Sequence, residues 1–369
     1  MTGKKLAWCS RALVLLAFAV PGLSGCTTSD SLVDQAVAAT TFGPEPGANT
    51  CAATADAGVQ AANSPTVTNP DATGVAPSAG CNKPIPNGQL LAKYSPYTLH
   101  APGKTLDACF SVQEYDRQYF VWLPKDYDPA KPYRVTFLFM GCGDRNAAAT
   151  ATYKLMTADP ESIYVSVNMP PDGLPPAGKP CYDNTVGQQS VEWEFMGLVG
   201  SQIQKDFCVD ENRLFVSGYS SGAWISNMFG CYFAGRDPNR KFGADFSVRG
   251  QASVTGGPVL PDVQCAGKEA ALWIHDSDDK ENIIGGNSGT SLPRVLAVNG
   301  CAGGLNGPKA PWGSTSAMSS VCQQYTACPA DYPVIFCATS TKGHSSQDDL
   351  ALPTFIAFEN LMNPTTIPK

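Results

Sequence analysis

The sequence predicts an α/β fold built on a mostly parallel sheet, and three observations carry the prediction. Short apolar runs alternate with segments of helical spacing from Cys81 to the C-terminus. Several of the runs are near-continuous in Val, Ile, Phe and Leu, as strands covered on both faces by helices require. One of them leads straight into "GYSSG", Gly218 to Gly222, and then into a plausible helix, a strand–tight turn–helix unit. The chain has 369 residues, 43% hydrophobic and 15% charged, with 35 glycines and 30 prolines, which suits one large turn-rich domain plus non-globular sequence.

The elements follow in chain order. Lys4, Lys5 and Arg11 precede an apolar run from Ala12 to Val20 that is too short to span a bilayer, so residues 1–25 are expected to be an export signal. "LSGC", Leu23 to Cys26, resembles a lipoprotein processing site, which implies cleavage before Cys26 and a lipid on its sulfur. Ordinary signal cleavage nearby is the alternative. From Thr27 to Gly80 the chain is rich in Ala, Thr, Pro, Gly and Ser and has no Lys or Arg, with Phe42 as its one aromatic residue. It cannot bury enough apolar surface to offset its ordering entropy, so residues 26–80 are expected to be a disordered tether. Cys51 and Cys81 are candidates for closing a loop there. Residues 81–369 form the expected globular α/β domain.

Within it the predicted strands are Tyr119 to Leu123, Arg134 to Met140, Ile163 to Val167, Arg213 to Ser217, Ala271 to His275 and Pro333 to Cys337. Ser190 opens a helical stripe of Val191, Phe195, Leu198, Val199 and Ile203. A last amphipathic segment, Pro353 to Met362, is placed to dock on the sheet. No internal repeat is visible.

Ser220 is the candidate nucleophile. A hydroxyl needs a base to act at neutral pH, and the chain has only 3 histidines. His100 precedes the core strands in an irregular stretch and His275 ends a strand before a run of acids. His344, in "KGHSSQDD" after the last strand, stands where a serine-acid-histidine order needs the base. The acid is expected in "HDSDD", His275 to Asp279. A carboxylate well beyond the strand end reaches an imidazole best, which favours Asp279 and leaves Asp278 open. A calcium loop is the competing reading of this acidic run, but Lys280 and Glu281 stand where such a loop needs a ligand and a glycine. For the oxyanion, the backbone N–H groups of Ser221 and of Cys142, in "MGCG" after a strand, are the candidates. A Cys142–Cys181 disulfide would stiffen that turn and bring Tyr182 near the cleft. Tyr182, Tyr219 and Trp312 are candidate substrate contacts; Trp224 reads more as core, and Trp193 and Trp273 as core outright. Trp312 could equally pack against a disulfide.

Of 14 cysteines, Cys9 lies in the signal and Cys26 at the lipidation site, leaving an even set for disulfides in an exported chain. Cys and His spacing fits no zinc site, and no metal or cofactor is expected. A net charge of −7 gives no basis for a nucleic-acid or anionic-membrane surface, so the membrane is expected to be met only through a lipid on Cys26. A monomer is expected.

With these residues placed, the region from about Lys104 to Met362 resembles the secreted feruloyl esterase and polyhydroxybutyrate depolymerase-like group of α/β-hydrolases. Its members show an early H-G-C turn, G-x-S-x-G-G, H-G-x-x-D and a late G-H. Here the matching residues are "MGC" at 140–142, "GYSSGA" at 218–223, "HDSDD" at 275–279 and "GH" at 343–344, with Met140, Ala223 and Asp276 departing from the pattern. "DFCVDENRLFVSGYSSGA" is similar to the fungal-type feruloyl esterases. The resemblance implies an α/β-hydrolase fold and a triad of Ser220, Asp279 and His344, with Cys142 and Ser221 as oxyanion donors. It implies a serine carboxylic ester hydrolase acting on hydroxycinnamoyl or other acyl groups of plant cell-wall polysaccharide, outside the cell or anchored at the outer membrane. A polyhydroxyalkanoate depolymerase is the alternative, and a non-catalytic binding scaffold a lesser one.

Overall fold

A computed structural model describes residues 68–70, 74–101, 105–106, 110–111, 115–143, 154–169, 181–182, 189–257, 265–282 and 288–363. The expected signal, Cys26 and most of the expected tether lie outside the described residues, as do Cys51 and Cys109.

Twelve strands are described: β1 (Tyr94–Ala101), β2 (Thr105–Leu106), β3 (Phe110–Ser111), β4 (Tyr115–Trp122), β5 (Tyr133–Phe139), β6 (Ile163–Val167), β7 (Val209–Tyr219), β8 (Gly250–Val254), β9 (Ala270–Asp276), β10 (Lys309–Pro311), β11 (Cys322–Tyr325) and β12 (Val334–Thr339). β2 and β3 form a small hairpin, and the other ten form one sheet in the order β1-β4-β6-β5-β7-β8-β9-β12-β11-β10. The six central strands, β6 through β12 in that order, run parallel, while both flanks pair antiparallel. This is the α/β-hydrolase fold: crossovers on both sides of a parallel centre, with an antiparallel strand pair at its leading edge.

Period-2 alternation sorts the side chains of each strand to opposite faces. On β7, Leu214 and Val216 join the cluster beneath two helices, α2 (Gln189–Asp206) and α3 (Ser221–Tyr232), which contribute Phe195, Met196, Val199, Ile203, Ile225, Met228 and Phe229. Phe215 faces the other way, towards Ala351, Phe355 and Phe358 of the helix α6 (Asp348–Asn360). That helix starts five residues before the predicted Pro353 and carries Pro353 as its sixth residue, where the missing N–H forgoes one intrahelical hydrogen bond. The remaining helices are α1 (Leu155–Ala158), α4 (Ser288–Asn299) and α5 (Ser316–Val321).

Two expectations are corrected. The tether does not extend to residue 80: Thr68 bridges Arg236, Pro77 bridges Asp210, and Ser78 Oγ donates to Phe207 O at 2.8 Å. Composition misses this because the segment is held by backbone hydrogen bonds and by Cys81, which pairs with Cys208 and not with a neighbour in the tether. His100 lies on β1 rather than in an irregular stretch, exposed, with Nδ1 3.1 Å from Asp116. Further disulfides join Cys142 to Cys181, Cys231 to Cys265, Cys301 to Cys328 and Cys322 to Cys337. Five such bonds among the described residues fit an oxidising, extracytoplasmic compartment.

Candidate active site

The site gathers at the C-terminal ends of β5, β7, β8, β9 and β12, where the crossovers of a parallel sheet leave a crevice. Ser220 joins β7 to α3 with φ 54° and ψ −120°, a conformation a non-glycine residue holds only under constraint. The constraint is visible on both sides. A Cβ at Gly218 would lie 2.3 Å from the backbone of Gly222, and one at Gly222 would lie 2.2 Å from Phe139 O. Only glycines let the turn close this tightly against β5. Ser220 N donates to Val254 O at 3.1 Å, which fixes the turn to β8. Ser220 then sits at the start of α3, the end of the helix where the positive pole of its dipole lies.

His344 Nε2 lies 2.8 Å from Ser220 Oγ, and its Nδ1 lies 2.9 Å from Asp279 Oδ2. An ionised Asp279 must accept from Nδ1–H, which leaves Nε2 to accept from the serine hydroxyl. Asp279 Oδ1 accepts from the N–H groups of Glu281 and Asn282, both at 2.9 Å, so the carboxylate is bonded on both oxygens though buried. Asp278, open on spacing alone, points elsewhere and accepts from Thr341 N at 3.0 Å.

The loop carrying His344 is stitched to the loop carrying Asp279. Asp276 accepts from Asp278 N at 2.8 Å, from Thr339 Oγ1 at 2.8 Å and from Lys342 N at 2.9 Å. Burial alone would push the Asp276 carboxyl up, but these hydrogen bonds outweigh it and hold the group below the usual carboxylate range. From beneath, His275 Nε2–H donates to Asn282 O at 2.6 Å and lies 3.8 Å from Asp279. Burial holds the His275 imidazole below the usual histidine range, which suits a neutral prop and not a base. Asn282 completes the frame, with Nδ2 donating to Thr255 O at 2.8 Å and Oδ1 accepting from Trp224 Nε1 at 3.1 Å.

Of the expected substrate contacts, Tyr219 lines the site. It is half-buried, its hydroxyl donates to His344 O at 3.2 Å, and its ring lies 5.4 Å from the imidazole. Tyr182 does not reach the crevice. Its buried ring meets Phe139 edge-on, its hydroxyl donates to Val167 O and accepts from Met140 N, and its own N–H donates to Ser221 Oγ at 3.2 Å. An aromatic residue beside a disulfide looked like a cleft wall in sequence, but its hydroxyl finds backbone partners only beneath the turn. Trp312 is likewise buried, with its N–H on Cys322 O at 2.9 Å, in a cluster with Cys322 and Cys337. Trp224, read as core, is half-buried against Gly257 at the edge of the site. The turn bearing Cys142 comes close to the serine, since a Cβ at Gly141 would lie 3.5 Å from Ser220 Cβ. Sequence reasoning missed Asn282 and Glu281, because their importance rests on contacts with residues far away in the chain.

One group of potential metal ligands occurs among the described residues, Cys231, Cys265 and Glu269. Its sulfurs are bonded to each other and offer no thiolate.

No protein-family model matches the chain. The chain is 25% identical over 272 residues to Feruloyl esterase D of Neurospora crassa, covering 69% of this chain and 80% of that protein. Among solved structures it is similar to a ferulic acid esterase of Anaeromyces mucronatus in complex with ferulic acid, at 11% identity and a TM-score of 0.44 over 78% of this chain and 98% of that one. Esterase PE8 is similar at 16% identity and a TM-score of 0.44, over 65% and 97% of the two chains. The likeness to Feruloyl esterase D supports a carboxylic ester hydrolase.

Proposed function

We propose that this chain is a serine carboxylic ester hydrolase that releases hydroxycinnamoyl groups from plant cell-wall polysaccharide. The observation that carries the reading is the unbroken line from Ser220 Oγ to His344 to Asp279, with the serine held on a strained turn at the start of a helix.

In this reading Ser220 Oγ attacks the ester carbonyl while His344 Nε2 takes its proton. The oxyanion forms against the N–H groups of Ser221 and Cys142. His344 returns the proton to the leaving alcohol oxygen, and the acyl group stays on Ser220. A water then gives its proton to His344 and its oxygen to the acyl carbon, and the acid departs as Ser220 is reprotonated. Asp279 stays ionised throughout, holding the tautomer and offsetting the imidazolium charge. Tyr182 supports the oxyanion turn from below through Met140 N and Ser221 Oγ. A lipid on Cys26, added after export, would keep the enzyme at the cell surface.

The test is hydrolysis of methyl ferulate and of 3-hydroxybutyrate oligomers by the full-length oxidised protein beside Ser220→Ala. Release of ferulate, lost by at least about 10⁴-fold in Ser220→Ala, is the expected result. Cleavage of the oligomers alone would move the substrate to polyester. A parent protein that takes no fluorophosphonate label would remove the catalytic reading altogether.

A further inference from the structure

Glu281 Oε2 lies 3.5 Å from His344 Nε2, the imidazole atom that faces Ser220. Its side chain is 74% exposed, so it stands at the open side of the site. Its position is set by the site itself. Glu281 N–H is bound to Asp279 Oδ1, and the next residue, Asn282, is tied to Asp279, Thr255, Trp224 and His275.

Nε2 is also where the departing alcohol must come. If Ser220 and His344 act as proposed above, the proton taken from Ser220 leaves Nε2 on the oxygen of the alcohol, which must come within hydrogen-bond reach of that atom. Any alcohol portion delivered there lies within a few ångströms of the Glu281 carboxylate. A carboxylate accepts hydrogen bonds from neutral hydroxyls and repels a second carboxylate. The acyl portion is bonded to the carbonyl carbon and not to the oxygen that must reach Nε2.

We infer that Glu281 is a specificity-determining residue for the alcohol half of the ester, favouring neutral, hydroxyl-rich alcohols such as sugars and rejecting alcohols that carry a carboxylate. The inference rests on the ester-hydrolase reading and deepens it. A sugar hydroxyl esterified by an aromatic acid meets the condition. A short hydroxyacid oligomer, whose leaving portion ends in a free carboxylate, does not.

The experiment compares two nearly isosteric alcohols on one acyl group: 2-hydroxyethyl ferulate against carboxymethyl ferulate, with the matching acetates run in parallel, on the full-length protein. Because the carboxylate is exposed and screened, the expected preference of the parent for the neutral alcohol is about tenfold in kcat/KM. Glu281→Gln should bring the ratio near unity, Glu281→Lys should invert it, and about 0.5 M salt should narrow it in the parent but not in Glu281→Gln. A ratio that stays the same in both variants overturns the inference. If only the acetates are turned over, the hydroxycinnamoyl assignment fails while the ratio, read on acetates, still decides the role of Glu281. If no ester is cleaved, the hydrolase reading falls and this inference falls with it.

Discussion

Strand β9 has a carboxylate at each end, and the two have opposite fates. Asp276 closes the strand at the site, and Glu269 immediately precedes it at the opposite pole; their exposures are 0% and 1%. Asp276 accepts three hydrogen bonds from the loops it joins and is held below the usual carboxylate range. Neither carboxyl oxygen of Glu269 has a hydrogen-bond partner among the described residues, and burial pushes the group well above that range. Its backbone, by contrast, is fully engaged by the Asn299 side chain. Equal concealment from solvent therefore does not mean an equal shift: hydrogen-bond donors from the loops hold the Asp276 carboxyl down, while desolvation raises that of Glu269.

The largest expected effect lies just past the donor-rich end. Asp279→Asn should retain the fold and lower kcat by about 10⁴-fold, because an amide presents the wrong partner to His344 Nδ1; steady-state rates on methyl ferulate measure it. A loss under tenfold would mean that the paired pole does no more chemistry than the unpaired one.

Next comes Asp276→Asn, which turns an N–H donor towards the N–H groups of Asp278 or Lys342. The loop bearing His344 loosens, and kcat/KM should fall by about tenfold or more. The acid side sharpens the contrast. Since the folded-state value of Asp276 is depressed, its stabilisation is present above the unfolded-state value of 3.8 and is lost as pH falls through the folded value. Urea midpoints across about pH 2–6 should therefore fall more steeply in the parent than in Asp276→Asn.

The smallest effect belongs to Glu269→Gln, with activity equal to the parent. Because the folded-state value of Glu269 is raised, its contribution is fully present below the unfolded-state value of 4.5 and is lost as pH rises towards the folded one. Glu269→Gln should melt higher than the parent by about 2–4 °C at pH 8, and the gap should close below that lower value. Identical melting curves at both pH values would show that Glu269 finds donors after all.

The same contrast explains what sequence could reveal. The runs around Phe137, Val165, Val216 and Leu272 were legible because buried parallel strands need continuous apolar residues. Gly250–Val254 was not, since "GQASV" has small or polar side chains and is a strand only because its neighbours pair with it. Nor was β1, with Pro96 inside it on an edge. At the site, three histidines and a fixed order point to Ser220 and His344, and the structure brings the two side chains within 2.8 Å of each other. Position beyond the strand end favours Asp279 but leaves Asp278 open, and loop geometry, which spacing does not encode, separates them: Asp279 lies 2.9 Å from His344 Nδ1, while Asp278 accepts from Thr341 N. Tyr182 was misplaced because an aromatic side chain beside a disulfide looks the same in sequence whether it faces a ligand or a strand end. The Cys81–Cys208 bond spans 127 residues, beyond any local pattern.

The strap formed by residues 74–80 has a consequence for attachment. It lies against Phe207, Val209 and Asp210, where β7 begins, whereas Ser220 follows the last residue of that strand. Eleven residues of strand put about 35 Å between the two poles. Any pull applied through residues 74–80 is therefore received at the start of β7, a full strand length from Ser220.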